Sequence, residues 1–193
     1  MLRAAVPRPR PRLIAALVLV ALAAGLAACG NKQDVVTEAK TEGVYLDVGN
    51  LVYQVQISRE LNPAQPDDKT YLSGIPPALR GLSPAQAYFA VFLRVWNESD
   101  ATHPAASDFD IVDTLGKRYT PIPLSHINPF AYRALTLKPD GQIPIVDSVA
   151  AQGAIQGSVL VFKVDIASYQ NRPLKLHIKP PGGGSEGIVD LDV

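Results

Sequence analysis

Residues 88–97 read Tyr-Phe-Ala-Val-Phe-Leu-Arg-Val-Trp-Asn, and this segment is the strongest strand signal in the chain. Alternate side chains would form one continuous apolar face, made of Phe89, Val91, Leu93 and Val95. The opposite face is mixed, and it would be either partly covered by a neighbouring segment or left as an exposed aromatic stripe; it carries Tyr88, Ala90, Phe92, Arg94 and Trp96. We therefore expect residues 88–97 to be a central strand of the core.

The segments around this strand follow the same period of two. In residues 51–58 an apolar face alternates with a polar one, the first made of Leu51, Tyr53, Val55 and Ile57 and the second of Gln54, Gln56 and Ser58. Six further short segments have strand character and are separated by turn signals: residues 44–48, 108–113, 118–122, 157–166, 174–179 and 188–193. About eight such strands predict an all-β fold, an antiparallel β-sandwich over residues 44–193.

Two long segments, residues 59–82 and 124–154, interrupt the strand pattern. Loops of this length are often functional, and aromatic residues and arginine are the usual anchors of binding surfaces. The candidate binding residues in these segments are Tyr71, Phe130, Tyr132 and Arg133. The alternative is that they only fold back onto the sandwich and cover its ends.

The first 28 residues have the pattern of a targeting segment. Four arginines make its start basic, and residues 13–28 carry no charge. This uncharged run is shorter than the roughly 20 apolar residues that a membrane-spanning helix needs. It leads into Leu26-Ala27-Ala28-Cys29, and Cys29 is the only cysteine of the chain, so it has no disulfide partner within it.

Leu26-Ala27-Ala28-Cys29 resembles the bacterial lipobox. The resemblance implies that residues 1–28 are a signal peptide cleaved before Cys29, that a diacylglycerol is attached to the Cys29 sulfur, and that the protein lies on the extracytoplasmic face of the cell membrane. Gly30 follows the cysteine, where an aspartate would resemble a signal for retention in the inner membrane. Sorting to an outer membrane therefore stays open if the cell has one. The alternatives are an ordinary secretory signal or an uncleaved membrane anchor. Residues 29–43 would be the lipidated cysteine and a flexible polar tether.

Charge and chemistry exclude several classes of function. The removed segment holds four of the 18 basic residues and none of the 18 acidic ones, so the mature chain carries a formal charge of −4, which argues against nucleic-acid binding. Residues 183–187 match the Gly-x-Ser-x-Gly pattern of hydrolases, but that pattern needs a strand before it and a helix after it, and two prolines precede it here. We therefore predict no catalytic residue.

No metal or cofactor site is predicted either. The three histidines, His103, His126 and His177, lack the spacing of metal ligands. Three acids, Asp108, Asp110 and Asp113, invite a calcium site but lack the regular spacing of a calcium loop. We expect them to be structural acids that flank a hairpin.

Three strand segments together resemble blocks of an immunoglobulin-like (telokin-like) domain: "Phe-Leu-Arg-Val-Trp-Asn-Glu-Ser", "Asp-Phe-Asp-Ile-Val-Asp-Thr-Leu-Gly-Lys-Arg-Tyr" and "Gly-Ser-Val-Leu-Val-Phe-Lys-Val". Such domains are common in bacterial lipoproteins and have no known function. The resemblance covers roughly residues 44–179 and implies a fold, not a site.

The sequence leaves two hypotheses for the function. The first is a non-catalytic, lipid-anchored cell-envelope protein that binds another envelope protein or serves as an accessory module of a membrane complex. The second is a lipoprotein that binds a small ligand or a cell-wall glycan with its aromatic loops. A flat exposed patch would favour the first hypothesis, and a concave pocket lined by Tyr71, Phe130 or Tyr132 would favour the second.

Overall fold

A computed structural model describes residues 35–192 of the chain. The predicted signal peptide, Cys29 and the first part of the predicted tether lie outside these residues. The described chain is almost entirely β, which confirms the predicted fold class. Its strands are Glu38–Ala39 (β1), Tyr45–Val48 (β2), Leu51–Leu61 (β3), Gln86–Trp96 (β4), His103–Pro104 (β5), Asp108–Val112 (β6), Arg118–Tyr119 (β7), Thr136–Leu137 (β8), Gln142–Ile143 (β9), Ser158–Asp165 (β10), Leu174–Lys179 (β11) and Gly187–Leu191 (β12).

The strands form two main sheets. The first sheet has the order β1-β12-β11-β6-β7, in which only β1 and β12 run parallel. The second sheet has the antiparallel order β10-β4-β3-β2, and β9 pairs with the end of β4. β5 and β8 form a small separate pair. Short helices join these strands, namely the α-helices Pro66–Tyr71 (α1) and Val149–Gln152 (α2) and the 3₁₀ helices Pro77–Leu79 and Ile166–Gln170.

The main hydrophobic core lies between the two sheets. The predicted apolar face of β4 is buried there in full, and it meets residues of the first sheet such as Phe109, Ile111, Leu176 and Ile178. Two tyrosines enter this core with their hydroxyl groups satisfied, because the Tyr53 hydroxyl accepts a hydrogen bond from the Ala106 amide and the Tyr132 hydroxyl donates one to the Ala106 carbonyl. Burial raises the pKa of Tyr53 to about 12, so this phenol stays neutral and structural.

A second core lies on the outer face of the second sheet. Here Tyr88, Ala90 and Phe92 of β4, together with Leu61 at the end of β3, pack against residues from outside the sheet. These are Tyr71 and Ile75 from the first long segment, and Ile122 and the partly buried Phe130 from the second half of the chain. Parts of the long segments therefore form a third layer over one end of this face. The remaining part, at Arg94 and Trp96, is only partly buried.

The structure corrects the predicted faces of β3 after Val55. Val55 pairs with Leu93 and Ile57 with Phe92, so Gln56 is an extra residue that forms a β-bulge. As a result Ile57 turns to the outer face, where it is 38% exposed, and Ser58 turns inward and is 4% exposed. A bulge depends on the partner strand and on long-range contacts, so the period of the sequence alone does not reveal it.

The structure also corrects the predicted tether, because its second half belongs to the folded domain. β1 pairs with β12, and Ala39 is buried in the main core. The Glu42 carboxylate accepts hydrogen bonds from the amides of Ser58 in the second sheet and Asp192 after the first sheet. The polar composition of this segment suggested a tether, but its main chain and one carboxylate join both sheets.

Within residues 35–192, no helix has the length and apolar character needed to cross a bilayer.

Candidate functional site

Two of the four predicted binding residues lie in the second core. Tyr71 is 7% exposed, and its ring contacts those of Phe92 and Phe130 edge to face, with centroids 4.9 Å apart in both pairs. Such packing stabilises the layer that covers the sheet. Tyr71 and Phe130 are therefore placed as the alternative interpretation expects, as residues that hold the long segments on the sandwich.

Asn128 joins the two long segments and was not singled out by the sequence. Its side-chain amide is buried and donates to the carbonyls of Tyr71 and Ser73, both at 2.8 Å, while its oxygen accepts from the amide of Phe130. The only available signal was an asparagine before Pro129, a pair that favours a turn. The two carbonyls to which it donates are more than 50 positions away, so the sequence could not supply them.

The other two predicted residues, Tyr132 and Arg133, line a surface cavity. Its volume is about 320 Å³, and the segment 121–124 forms its opposite wall. The Tyr132 ring also packs edge to face on Phe109. The Arg133 guanidinium donates to the carbonyls of Leu124 and Ser125, so it bridges the walls of the cavity. The volume lies at the small end of the range of ligand sites in proteins.

Three exposed apolar side chains lie close together in the described chain, at the turn before α2 and in its first residue, which we call the 145–149 turn. Ile145, Val146 and Val149 are 61%, 56% and 53% exposed. Ser148 holds the backbone of this turn, because its hydroxyl donates to the Ile145 carbonyl at 2.6 Å and accepts from the Ala151 amide. The Gln152 side chain also donates to the Val146 carbonyl. The turn therefore presents three apolar side chains on a fixed backbone.

A second exposed surface lies on the uncovered part of the second sheet. It consists of Tyr45, Arg94 and Trp96, which we call the aromatic platform. The rings of Tyr45 and Trp96 are 5.6 Å apart, and the Arg94 guanidinium lies 4.6 Å from the centre of the Trp96 ring. Tyr45 is 57% exposed. The mixed face of β4 is thus covered at Tyr88, Ala90 and Phe92 and open at its other end.

The acids that invited a calcium site have other partners. Asp110 contacts Lys179 at 2.7 Å and Arg118 at 3.0 Å, and Asp108 contacts Lys179 at 3.1 Å. Burial raises the pKa of Asp110, but these two cations outweigh it, so the pKa of that carboxyl lies below its usual value. Among the described residues, no group of three or more candidate ligands could hold a metal ion.

Asp113 has a structural role. It is 5% exposed, and its carboxylate accepts hydrogen bonds from the amides of Leu115 and Lys117, from the Ser168 hydroxyl and from the Asn171 side chain. It thereby closes the turn between β6 and β7 and connects that turn to the segment before β11.

The serine of the Gly-x-Ser-x-Gly match and two of the histidines lie apart from the surfaces described above. Ser185 lies in a loop that leads directly into β12, so no helix follows it, as a hydrolase nucleophile elbow would require. His177 pairs with Glu186 at 2.9 Å on the outer face of the first sheet. His103 contacts the side chain of Asn50.

Comparisons with known proteins give distant structural likenesses alone. No protein-family model matches the chain, and no curated protein matches it. Among solved structures, the yjhA protein of Bacillus subtilis is 11% identical with a TM-score of 0.48, over 79% of this chain and 99% of that one. A candidate lipoprotein of Bacillus subtilis, ycdA, is 12% identical with a TM-score of 0.49, over 77% of this chain and 38% of that one. An uncharacterized β-sandwich protein of Clostridium difficile is 8% identical with a TM-score of 0.42, over 80% and 95% of the two chains. These similarities assign no activity or ligand to the chain.

Proposed function

We propose that this chain is a lipid-anchored, non-catalytic protein of the cell envelope whose immunoglobulin-like domain binds another envelope protein. The lipid is attached at Cys29, as the resemblance of residues 26–29 to a lipobox implies. Two or three acyl chains hold a protein durably at a membrane, since each buried methylene contributes about 0.8 kcal/mol. The domain then acts at the extracytoplasmic membrane surface.

The 145–149 turn is the observation that carries the binding function. Three apolar side chains within five residues are each more than half exposed, although the same fold buries the apolar faces of both sheets. Burying such side chains against a partner is favourable, and the fixed backbone of the turn lowers the entropic cost of doing so. An exposed apolar cluster of this kind supports a protein partner.

A position-specific crosslinking experiment in living cells tests this proposal. A photoreactive residue at Val146 is compared with one at Leu115, which is also apolar and 78% exposed but lies in the turn between β6 and β7. We expect a discrete set of envelope proteins to be captured from Val146 and not from Leu115, and to be lost in Cys29→Ala. Equal capture from both positions, or adducts of Val146 with lipid alone, would contradict a protein partner at this turn.

The cavity at Tyr132 and Arg133 favours a second candidate function, the binding of a small envelope ligand. Its concave shape and its mixture of apolar walls with a few polar groups are typical of ligand sites. Ser107 lies at its exposed rim, so Ser107→Trp would fill it from outside the core. If cell-wall fragments bind there, they should raise the Tm of the native protein and leave that of Ser107→Trp unchanged.

A further inference from the structure

The first described residues fix the place where the anchor segment meets the domain. The Val36 carbonyl accepts a hydrogen bond from the Asp47 amide at 2.7 Å, and the Val36 amide donates to the Asp47 carboxylate at 2.9 Å. Val36 is therefore held against β2, at the open edge of the second sheet. Val35, just before it, is 73% exposed.

The register of the second sheet places the aromatic platform beside this point. Asp47 pairs with Val52, which pairs with Trp96, and Tyr45 pairs with Gln54, which pairs with Arg94. Directly paired residues point to the same face of a sheet. The residue that holds Val36 therefore lies on the same face and in the same row as Trp96, two strands away.

The length of chain between the lipid and the domain limits how far the platform can be from the membrane. Val36 lies seven positions after Cys29, and a fully extended chain spans at most about 25 Å over that length. This distance is less than the diameter of a domain of this size, which is on the order of 30–40 Å. The part of the domain around Val36 must therefore stay near the lipid headgroups whenever Cys29 is anchored.

The platform also has the chemistry of a membrane interface. Tyrosine and tryptophan are enriched at the boundary between headgroups and acyl chains, because their rings are apolar and their edges carry a polar group. Arg94 lies over the Trp96 ring and forms no ion pair with an acid among residues 35–192, so its guanidinium can donate to lipid phosphates. Ile57, which the bulge turns outward, adds an apolar side chain to the same face.

We infer that the aromatic platform is a membrane-contact surface, with which the lipid-anchored domain rests on the bilayer. This inference rests on the lipid anchor of the proposed function. The lipid keeps the platform at a high effective concentration near the bilayer, so even a weak contact sets the orientation of the domain. The anchor and the platform are then two signals on one side of the molecule.

Intrinsic fluorescence tests the inference directly, because Trp96 is the only tryptophan of the chain. The mature lipidated protein is reconstituted into vesicles of phosphatidylethanolamine and phosphatidylglycerol, with or without brominated acyl chains. An interfacial ring lies about 5–10 Å into the boundary of the acyl chains, so we expect bromine to lower the Trp96 emission by about half or more. The variant Tyr45→Asp replaces the exposed ring of the platform with a charged side chain, so it should restore much of the Trp96 emission.

A matched control moves the probe to a part of the domain remote from Val36. The control is the double variant Trp96→Phe/Leu115→Trp, whose only tryptophan lies in the turn after the end of β6. The start of β6 is the end near β2, because Asp108 pairs with Lys179 and the next residue, Pro180, lies beside Gly49. The new tryptophan is therefore at the opposite end of β6. We expect no quenching for this variant. Equal quenching of both proteins would overturn the inference, because it would mean that the domain has no preferred face.

The failure of the anchor can be distinguished from the failure of the platform by vesicle flotation of the native protein and Cys29→Ala. If the native protein floats and Trp96 is not quenched, the inference is refuted and the anchor stands. If neither protein floats, the anchor fails and the inference fails with it. If Trp96 responds to soluble cell-wall glycan instead of to lipid, the platform is a saccharide site and the inference is likewise refuted.

Discussion

Replacing Asp113 with asparagine should destabilise the domain far more than its position beside a surface turn suggests. Its carboxylate can only accept hydrogen bonds, so the Ser168 hydroxyl, 2.8 Å away, must donate to it. The Tyr119 hydroxyl, 2.6 Å from the Ser168 oxygen, must then donate to Ser168. One charge thereby sets the direction of a chain of buried hydrogen bonds between β7 and the segment before β11.

The magnitude follows from the donors that Asp113→Asn would leave without acceptors. The asparagine has one acceptor oxygen, and its amide group would face donors. A buried polar group without a partner costs about 1–3 kcal/mol, so the loss at Ser168 together with weaker bonding of the Leu115 and Lys117 amides predicts about 2–4 kcal/mol. For a domain of this size, that loss lowers Tm by about 5–15 °C.

Urea unfolding followed by circular dichroism measures this change, with Asp108→Asn as the control. Asp108 has an exposed side chain and one ion pair with Lys179, so its replacement should cost less than about 1 kcal/mol. The double variant Asp113→Asn/Ser168→Ala should lose less stability than the sum of the two single losses, by about 0.5–3 kcal/mol. If Asp113→Asn lies within about 0.5 kcal/mol of the native protein at unchanged m-value, the hydrogen-bond chain does not stabilise the fold and this reasoning is refuted.

Three further predictions concern the second core, one glycine and the acids. Phe92→Ala should lower the free energy of unfolding by about 3–5 kcal/mol in urea titrations, because Phe92 is fully buried beneath Tyr71. Gly187→Ala should cost about 1–3 kcal/mol in the same measurement, since its new methyl group would lie 2.4 Å from the buried Val48 side chain. Contact with Arg59 lowers the pKa of Asp68, and contact with two cations lowers that of Asp110, in both cases below 3.8. These acids stabilise the fold above the unfolded pKa, so stability should fall as pH decreases below about 4, and less steeply once Asp68 is replaced by asparagine.

The strands were predictable because burial on either side of a sheet leaves a period of two in the sequence. All eight segments that the pattern indicated contain a strand, and the apolar face of β4 is buried as expected. Only Arg118–Tyr119 of residues 118–122 is a strand, and the two-residue strands β1, β5, β8 and β9 lie outside the predicted segments. The exceptions arise from long-range contacts. Ile57 changes face because Gln56 forms a bulge opposite β4, and the segment around Glu42 joins the domain through main-chain and carboxylate hydrogen bonds that composition does not report.

The candidate surfaces were less predictable than the strands. Aromatic residues in long loops suggested a binding role for Tyr71 and Phe130, but both side chains cover the outer face of β4. How far the covering layer extends decides which residues of the outer face of β4 stay exposed, and this extent is a property of the tertiary structure. Tyr45 is 51 positions from Trp96 in the sequence, and the register of β2, β3 and β4 brings the two rings together.

The two proposed surfaces constrain each other through β9. Gln142 in β9 pairs directly with Trp96, and Ile145 follows only three residues later. Three residues span at most about 10 Å, so the 145–149 turn begins close to the aromatic platform. If the platform rests on the bilayer, a partner of the turn must also lie at the membrane surface, which favours a membrane protein over a wall glycan. Crosslinks from Val146 to proteins that have no membrane-associated part would contradict the combination of the two proposals, even if each surface were used on its own.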